Sequence, residues 1–185
     1  LKKIGAAGTV AGVSSLTPLL ANALPSEMTN SNTAFEKDKT YTLDILQTTD
    51  VHCQVHPHDE LFWENDKAVF RRTGGYPQMA TYFKKARKSN PDTFIIDTGD
   101  MFQGSELSVK TTGKALVPVL NQLGYDLYLP GNWEVIYGKR NMQTLLGALD
   151  APKVCANMYH DLGDGKRGEL IFLPYYIWNV RGVKI

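Results

Sequence analysis

Three short polar clusters carry residues whose types and spacing could do chemistry: Thr49-Asp50-Val51-His52, Asp97-Thr98-Gly99-Asp100-Met101-Phe102-Gln103-Gly104 and Pro130-Gly131-Asn132-Trp133-Glu134. Asp50 and His52 stand two residues apart. In an extended strand exit both side chains can turn to one side and offer an oxygen and a nitrogen to one metal ion. Asp100, reached through the flexible Gly99, adds a carboxylate that can bridge two ions. Asn132, on another glycine-led turn, offers a neutral amide oxygen to the second. Two divalent ions about 3.5–4 Å apart can share a hydroxide nucleophile and stabilise phosphoryl oxygens through an in-line displacement. Singly the clusters say little, since an Asp-x-His is usually two surface residues and a Gly-Asp pair is usually a turn. Their weight comes from occurring three times in order, each directly after an apolar run.

Those runs define the elements that must position the clusters. Tyr41–Gln47 reads as a strand with Tyr41, Leu43 and Ile45 on one face, Thr93–Thr98 as a short buried strand and Asp126–Leu129 as a third. Val154–Asn157 is a fourth strand candidate. Between them, Tyr76–Ser89 has Met79, Ala80, Phe83 and Ala86 at helical spacing, with Lys84, Lys85, Arg87 and Lys88 on a solvated face, and Asn90-Pro91 ends it. Gly113–Leu123 is a second helix, through Leu116, Val119, Leu120 and Leu123, and Arg140–Leu149 a third, through Met142, Leu145, Leu146 and Leu149. Such alternation implies right-handed crossovers and a largely parallel sheet. Sites in these sheets gather outside the carboxyl ends of the strands, so all three clusters should meet at one edge. Further on, Ile171-Phe172, Tyr175–Val180 and Val183–Ile185 read as consecutive strands with a turn at Arg181-Gly182. The segment from His52 to Arg72 has no period and reads as a functional loop or an ordered insertion.

The order Asp-x-His, Gly-Asp-x-x-x-Gly, Gly-Asn-x-Glu resembles the signature of calcineurin-like metallophosphoesterases. Gly99-Asp100-Met101-Phe102-Gln103-Gly104 and Cys155-Ala156-Asn157 are similar to its 5′-nucleotidase branch. The resemblance runs from about Tyr41 to Ile185. It implies an α/β fold, the N-terminal part of a four-layer αββα sandwich with a dimetal site at its edge, loaded with divalent transition ions such as manganese, zinc or iron. By that resemblance Asp50 and His52 hold the first ion, Asp100 bridges, Asn132 holds the second and contacts substrate oxygens, and Asn157 lies close behind the site. The implied substrate is a small phosphate ester or nucleotide. The family's remaining ligands are histidines on Gly-His and Gly-His-x-His segments, neither of which occurs in these 185 residues. The chain by itself is therefore expected to be nearly inactive. His56, His58 and His160 match no family ligand and read as solvent-facing loop residues.

Two residues depart from the family pattern. Cys53 stands where the family has Gly after the first His, and reads as a packed, inert thiol. Trp133 stands where the family has the His that assists the leaving group, and an indole has only a weak N–H donor. A Trp at this place resembles the SoxB branch, which implies an alternative: thiosulfohydrolase action on a thiosulfonate carried by a protein partner. A non-catalytic binding module with the same fold is a further alternative.

Composition sets outer bounds. The chain is 43% hydrophobic and 21% charged with a net charge of +1, ordinary for one globular domain and without the basic excess of a nucleic-acid-polymer binder. Two cysteines are too few for a disulfide framework. Lys2 and Lys3, the Gly- and Ala-rich run after them and Ala21-Asn22-Ala23 read as a signal peptide over residues 1–23, cut after Ala23. Its poverty in Leu suits a twin-arginine signal. Residues 24–40 read as a linker and 41–185 as the N-terminal part of the catalytic domain. These readings imply a periplasmic or otherwise exported protein with no membrane span once the signal is removed.

Overall fold

Short apolar runs alternating with helices form the parallel sheet that the alternation requires, in a computed structural model that describes residues 28–29 and 36–185. Its elements are β1 (Met28–Thr29), β2 (Asp44–Thr48), β3 (His58–Glu64), β4 (Lys67–Thr73), α1 (Tyr76–Ser89), β5 (Thr93–Asp97) and α2 (Glu106–Thr111). A 3-10 turn (Lys114–Leu116) leads into α3 (Val117–Leu123), then β6 (Leu127–Tyr128), α4 (Lys139–Gly147), β7 (Tyr159–Asp161), β8 (Arg167–Leu170), β9 (Trp178–Val180) and β10 (Val183–Lys184). The leader expected over 1–23 lies outside the described residues, as do 24–27 and 30–35 of the linker. Among the described residues no helix is long and apolar enough to cross a membrane.

The central sheet has the order β2-β5-β6, parallel throughout, with Leu46 beside Ile95 and Ile96 beside Leu127. Successive side chains of β5 point to opposite faces, and this divides the core in two. Ile95 faces the helices, in a cluster with Phe83, Met101, Phe102, Leu116, Leu120, Tyr128, Met142, Leu145 and Leu146. Phe94 faces the other way, onto Trp178 of β9, with Leu127, Val154 and Val180 around them. A helical layer, the parallel sheet and a second sheet β1-β9-β10 therefore follow one another, the α-β-β part of the expected sandwich. β5 is buried almost throughout, as a central parallel strand should be. β2 is the edge of its sheet and runs over Asp44–Thr48 rather than the expected Tyr41–Gln47, with Ile45 exposed.

Helix α1 has the expected bounds, with Pro77 in its first turn, where no N–H is needed, and Arg87 and Lys88 in its last. Arg87 is not on the solvated face. Its guanidinium lies 2.7 Å from Asp126 and 2.5 Å from the Gly124 carbonyl, and Asp126 also accepts from the Ile95 amide, so α1 is tied to β5 and to the approach to β6.

Several boundaries differ from expectation for identifiable reasons. The expected helix Gly113–Leu123 is a 3-10 turn followed by α3, and a separate helix α2 precedes it. Ser105 caps α2, accepting from the Ser108 amide, and left-handed Thr112 and Gly113 end it. Val154–Asn157 forms no strand; Lys153 and Val154 make single bridges to Tyr128 and Leu173. Ile171-Phe172 is likewise no strand, whereas β7 and β8 pair as a hairpin just before it. The segment from His52 to Arg72 contains the antiparallel hairpin β3-β4, whose turn residues Asn65 and Asp66 both have positive φ. That is the backbone of a two-residue type I′ turn, which Asn and Asp tolerate. His58 therefore stands on a strand rather than in a loop, its Nε2 2.9 Å from Glu60, and His160 likewise lies on a strand, β7, half-buried.

Candidate metal centre

The first two polar clusters are pulled together by backbone hydrogen bonds between strand exits. After β2, the Asp50 amide donates to the Gly99 carbonyl at 2.9 Å and the His52 amide to the Asp100 carbonyl at 3.0 Å. Asp50, His52, Cys53 and Asp100 all have positive φ, a concentration of left-handed backbone that non-glycine residues adopt only under constraint. The third exit joins at Gly99 and Gly131. A Cβ on Gly99 would lie 2.1 Å from the Gly131 nitrogen, so the two loops are in direct backbone contact. Gly104, at the end of the Gly-Asp-x-x-x-Gly motif, serves the first loop similarly: a Cβ there would lie 2.3 Å from the His52 carbonyl oxygen, and its φ is +131°.

Ligand-capable atoms of Asp50, His52 and Asp100 all lie within 4.8 Å of one another. The Nε2 of His52 is 3.9 Å from Oδ1 of Asp50. The other ring nitrogen, Nδ1, is 3.1 Å from the Gln103 carbonyl. Donation to that carbonyl places the proton on Nδ1 and leaves the Nε2 lone pair for an ion, the usual way a ligating histidine is oriented. Asp100 is 5% exposed and uses one oxygen structurally: Oδ1 accepts from the Trp133 amide at 2.8 Å. Its amide donates to Glu134 Oε2 at 2.9 Å.

The charge balance points the same way. Asp97, Asp100 and Glu134 are buried, Asp50 is beside them, and among the described residues none of the four forms an ion pair with Lys or Arg. Burial pushes the Asp97 carboxyl up to about 7, with Glu134 and Asp50 adding to the rise, while bonds from the Thr48 hydroxyl and the Gly99 amide oppose it. Carboxylates gathered without basic partners around an imidazole with a free nitrogen suit a divalent transition ion. Asp50, His52 and Asp100 thus fit the group the sequence implies.

The remaining sequence candidates have the following surroundings. Asn132 is exposed on the loop between Gly131 and Trp133. The Trp133 ring is 37% exposed and meets the His52 ring edge to face, centroids 6.1 Å apart at 80°. Asn157 is exposed and accepts from the Cys155 thiol at 3.1 Å. Cys53 is a free, buried thiol that accepts from the Ser105 hydroxyl, and burial raises its pKa. Sequence reasoning missed two contributors: Gln103, which acts through its carbonyl, and Glu134, named only as a motif letter. A backbone acceptor leaves no trace in residue type, so only the fixed spacing of Gly104 hinted at the first.

Comparison with known proteins agrees with the geometry. Residues 43–183 match the model of the family described as calcineurin-like phosphoesterase. The chain is 31% identical over 147 residues to the trifunctional nucleotide phosphoesterase YfkN of Bacillus subtilis, a match covering 73% of this chain and 9% of that protein. It is 30% identical over 143 residues to the 5′-nucleotidase of Bos taurus, covering 76% of this chain and 24% of that one. Among solved structures, Haemophilus influenzae NAD nucleotidase superposes with a TM-score of 0.66 at 26% identity, over 77% of this chain and 28% of that one. The chain therefore spans only a minor part of the length of the relatives it matches. With the motif loops, the α-β-β layers and the family match in agreement, the chain belongs to the calcineurin-like phosphoesterase family.

Proposed function

We propose that the protein is an exported, metal-dependent phosphoesterase that hydrolyses phosphate monoesters, nucleotides foremost, by a two-metal mechanism. The observation that carries this reading is the convergence of Asp50, His52 and Asp100 within 4.8 Å, with the second nitrogen of His52 already committed to a carbonyl. The nucleotide preference rests on the relatives, whose names are those of nucleotidases and nucleotide phosphoesterases. Export rests on the leader read in residues 1–23.

In this reading Asp50 and His52 would hold one ion, Asp100, whose Oδ1 is occupied by the Trp133 amide, would supply the carboxylate shared with a second, and Asn132 would serve that second ion and orient the phosphoryl oxygens. Asn157 supports the site from behind. The bound ions, manganese, zinc or iron, would supply Lewis acidity and an activated hydroxide. The chain's own part is orientation: the Gln103 carbonyl fixes the His52 tautomer, and the Trp133 amide fixes the Asp100 carboxylate. The Trp133 side chain cannot protonate a leaving group, so the departing alkoxide relies on another proton donor.

The test is phosphate release by the full-length gene product from nucleoside monophosphates and simpler esters, with Mn²⁺, Zn²⁺ or Fe²⁺ and with chelator. Metal-dependent release, abolished by chelation, is expected. No release from any ester would overturn the proposal, and turnover of a thiosulfonate in its place would move the protein to the SoxB-like alternative.

A further inference from the structure

Glu134 is 1% exposed, and its carboxylate receives four hydrogen bonds from three parts of the chain. Oε2 accepts from the amides of Asp100 at 2.9 Å and Gly131 at 2.6 Å. Oε1 accepts from the Met101 amide at 2.8 Å and the Tyr128 hydroxyl at 2.9 Å. Among the described residues it has no basic partner. A buried carboxylate without a counter-ion is costly unless its lone pairs are filled, and here backbone amides and one hydroxyl fill them.

These contacts join the loop after β5, which presents Asp100, to the loop after β6, which presents Asn132, and fasten both to Tyr128 in the sheet. Asn132 is held from both sides, because the Gly131 amide goes to Glu134 and the Trp133 amide goes to Asp100. We propose that Glu134 is a positioning residue that sets the spacing of the Asp100 and Asn132 ligands, and through it the geometry and affinity of the metal centre. This inference rests on the reading of those two residues as ligands.

The chemistry of a glutamine replacement makes the proposal testable. A carboxamide has one acceptor oxygen. With that oxygen in the Oε2 place, its NH₂ meets the Met101 N–H head on; with the oxygen in the Oε1 place, its NH₂ meets two N–H groups. The Tyr128 hydroxyl can turn and accept, but the backbone amides cannot. Either orientation pushes one ligand loop outward.

Mn²⁺ binding is measured on full-length protein by calorimetry, together with the electron paramagnetic resonance spectrum of the bound ion. Glu134→Gln should weaken Mn²⁺ binding by roughly 10–100-fold, as loss of partners that orient metal ligands typically does, and should change the spectrum. Tyr128→Phe, which keeps the ring and removes one of the donors, should weaken it less, and it serves as the readout if Glu134→Gln does not fold. Unchanged affinity and spectrum in a folded Glu134→Gln protein, or in Tyr128→Phe where that is the readout, would overturn the clamp while leaving the metal reading intact. Absence of Mn²⁺ binding by the unsubstituted protein would instead sink the metal reading itself.

Discussion

The backbone amide of Trp133 donates to Oδ1 of Asp100 at 2.8 Å, so one oxygen of the central carboxylate belongs to the fold and the other is left for a ligand. This division of labour makes Asp100→Asn a clean probe. The asparagine oxygen can keep the Trp133 bond, which leaves the loops in place. Its NH₂ then occupies the second oxygen's position, where it repels a cation instead of ligating one. Asp100→Asn should fold normally and lose at least one equivalent of bound metal on elemental analysis. Equal metal content in the two proteins would sink the bridging role.

Gly104→Ala tests the approach of the second loop to His52. The new Cβ would lie 2.3 Å from the His52 carbonyl oxygen, backbone that cannot swing aside, at a φ of +131°. Strain of this kind costs about 1–3 kcal/mol, and relief would come by lifting the Gln103 carbonyl off His52 Nδ1. Both thermal stability and metal affinity should fall together. A variant that loses neither would show that the contact is dispensable.

How much of this was legible in residues alone follows from where the information sits. Tyr76–Ser89 was readable to its ends because Pro77, the apolar spacing and Asn90-Pro91 all speak locally. The three strand-exit clusters were readable because Asp, His and Asn side chains carry the chemistry themselves. The hairpin β3-β4 was missed although Asn65-Asp66 is a turn signal between two apolar runs. With Leu61, Trp63 and Phe70 on one exposed face, the strands lack the polar–apolar alternation of a half-buried sheet. The split of Gly113–Leu123 was hidden because helical spacing does not distinguish a 3-10 turn from the helix it leads into. Glu134 could not be assigned a task from sequence, since its partners are mainly backbone amides brought in by tertiary contact.

Asp97 gives a pH dependence whose sign is fixed. Its folded pKa is raised to about 7, above the unfolded value near 3.9, so the native state holds a proton that the unfolded chain has released between those values. The Asp97 contribution to stability is therefore fully present below about pH 4 and falls as pH rises towards 7, by an amount on the order of 3–4 kcal/mol if the whole shift is expressed. Asp97→Asn should remove this slope. The Thr48 hydroxyl can accept from the new NH₂ while donating to the Tyr125 oxygen 2.9 Å away, so the replacement is tolerated. The measurement is denaturant unfolding of metal-free protein from pH 4 to 8. Parallel pH profiles for the two proteins would show that Asp97 does not titrate in this range.

The side chain of Trp133 carries the prediction with most bearing on turnover. It stands edge to face with His52, partly open to solvent, at the place where the resemblance implies a histidine that assists the leaving group. General acid assistance is typically worth ~10²–10⁴-fold, most of it for poor leaving groups such as a ribose hydroxyl. Without it, the rate should depend steeply on leaving-group pKa, and aryl phosphates should be cut much faster than a nucleoside monophosphate. Trp133→His should narrow that gap by supplying a proton donor beside His52. The smaller ring leaves space against His52, and replacing a buried indole can cost a few kcal/mol. Because Trp133 is 37% exposed the loss here should be smaller, and thermal unfolding of both proteins checks it. The assay is a series of phosphate esters of graded leaving-group pKa, hydrolysed by both full-length proteins at saturating metal. A flat dependence in the unsubstituted enzyme would mean that another group delivers the proton, and that the indole at position 133 shapes the pocket without limiting the chemistry.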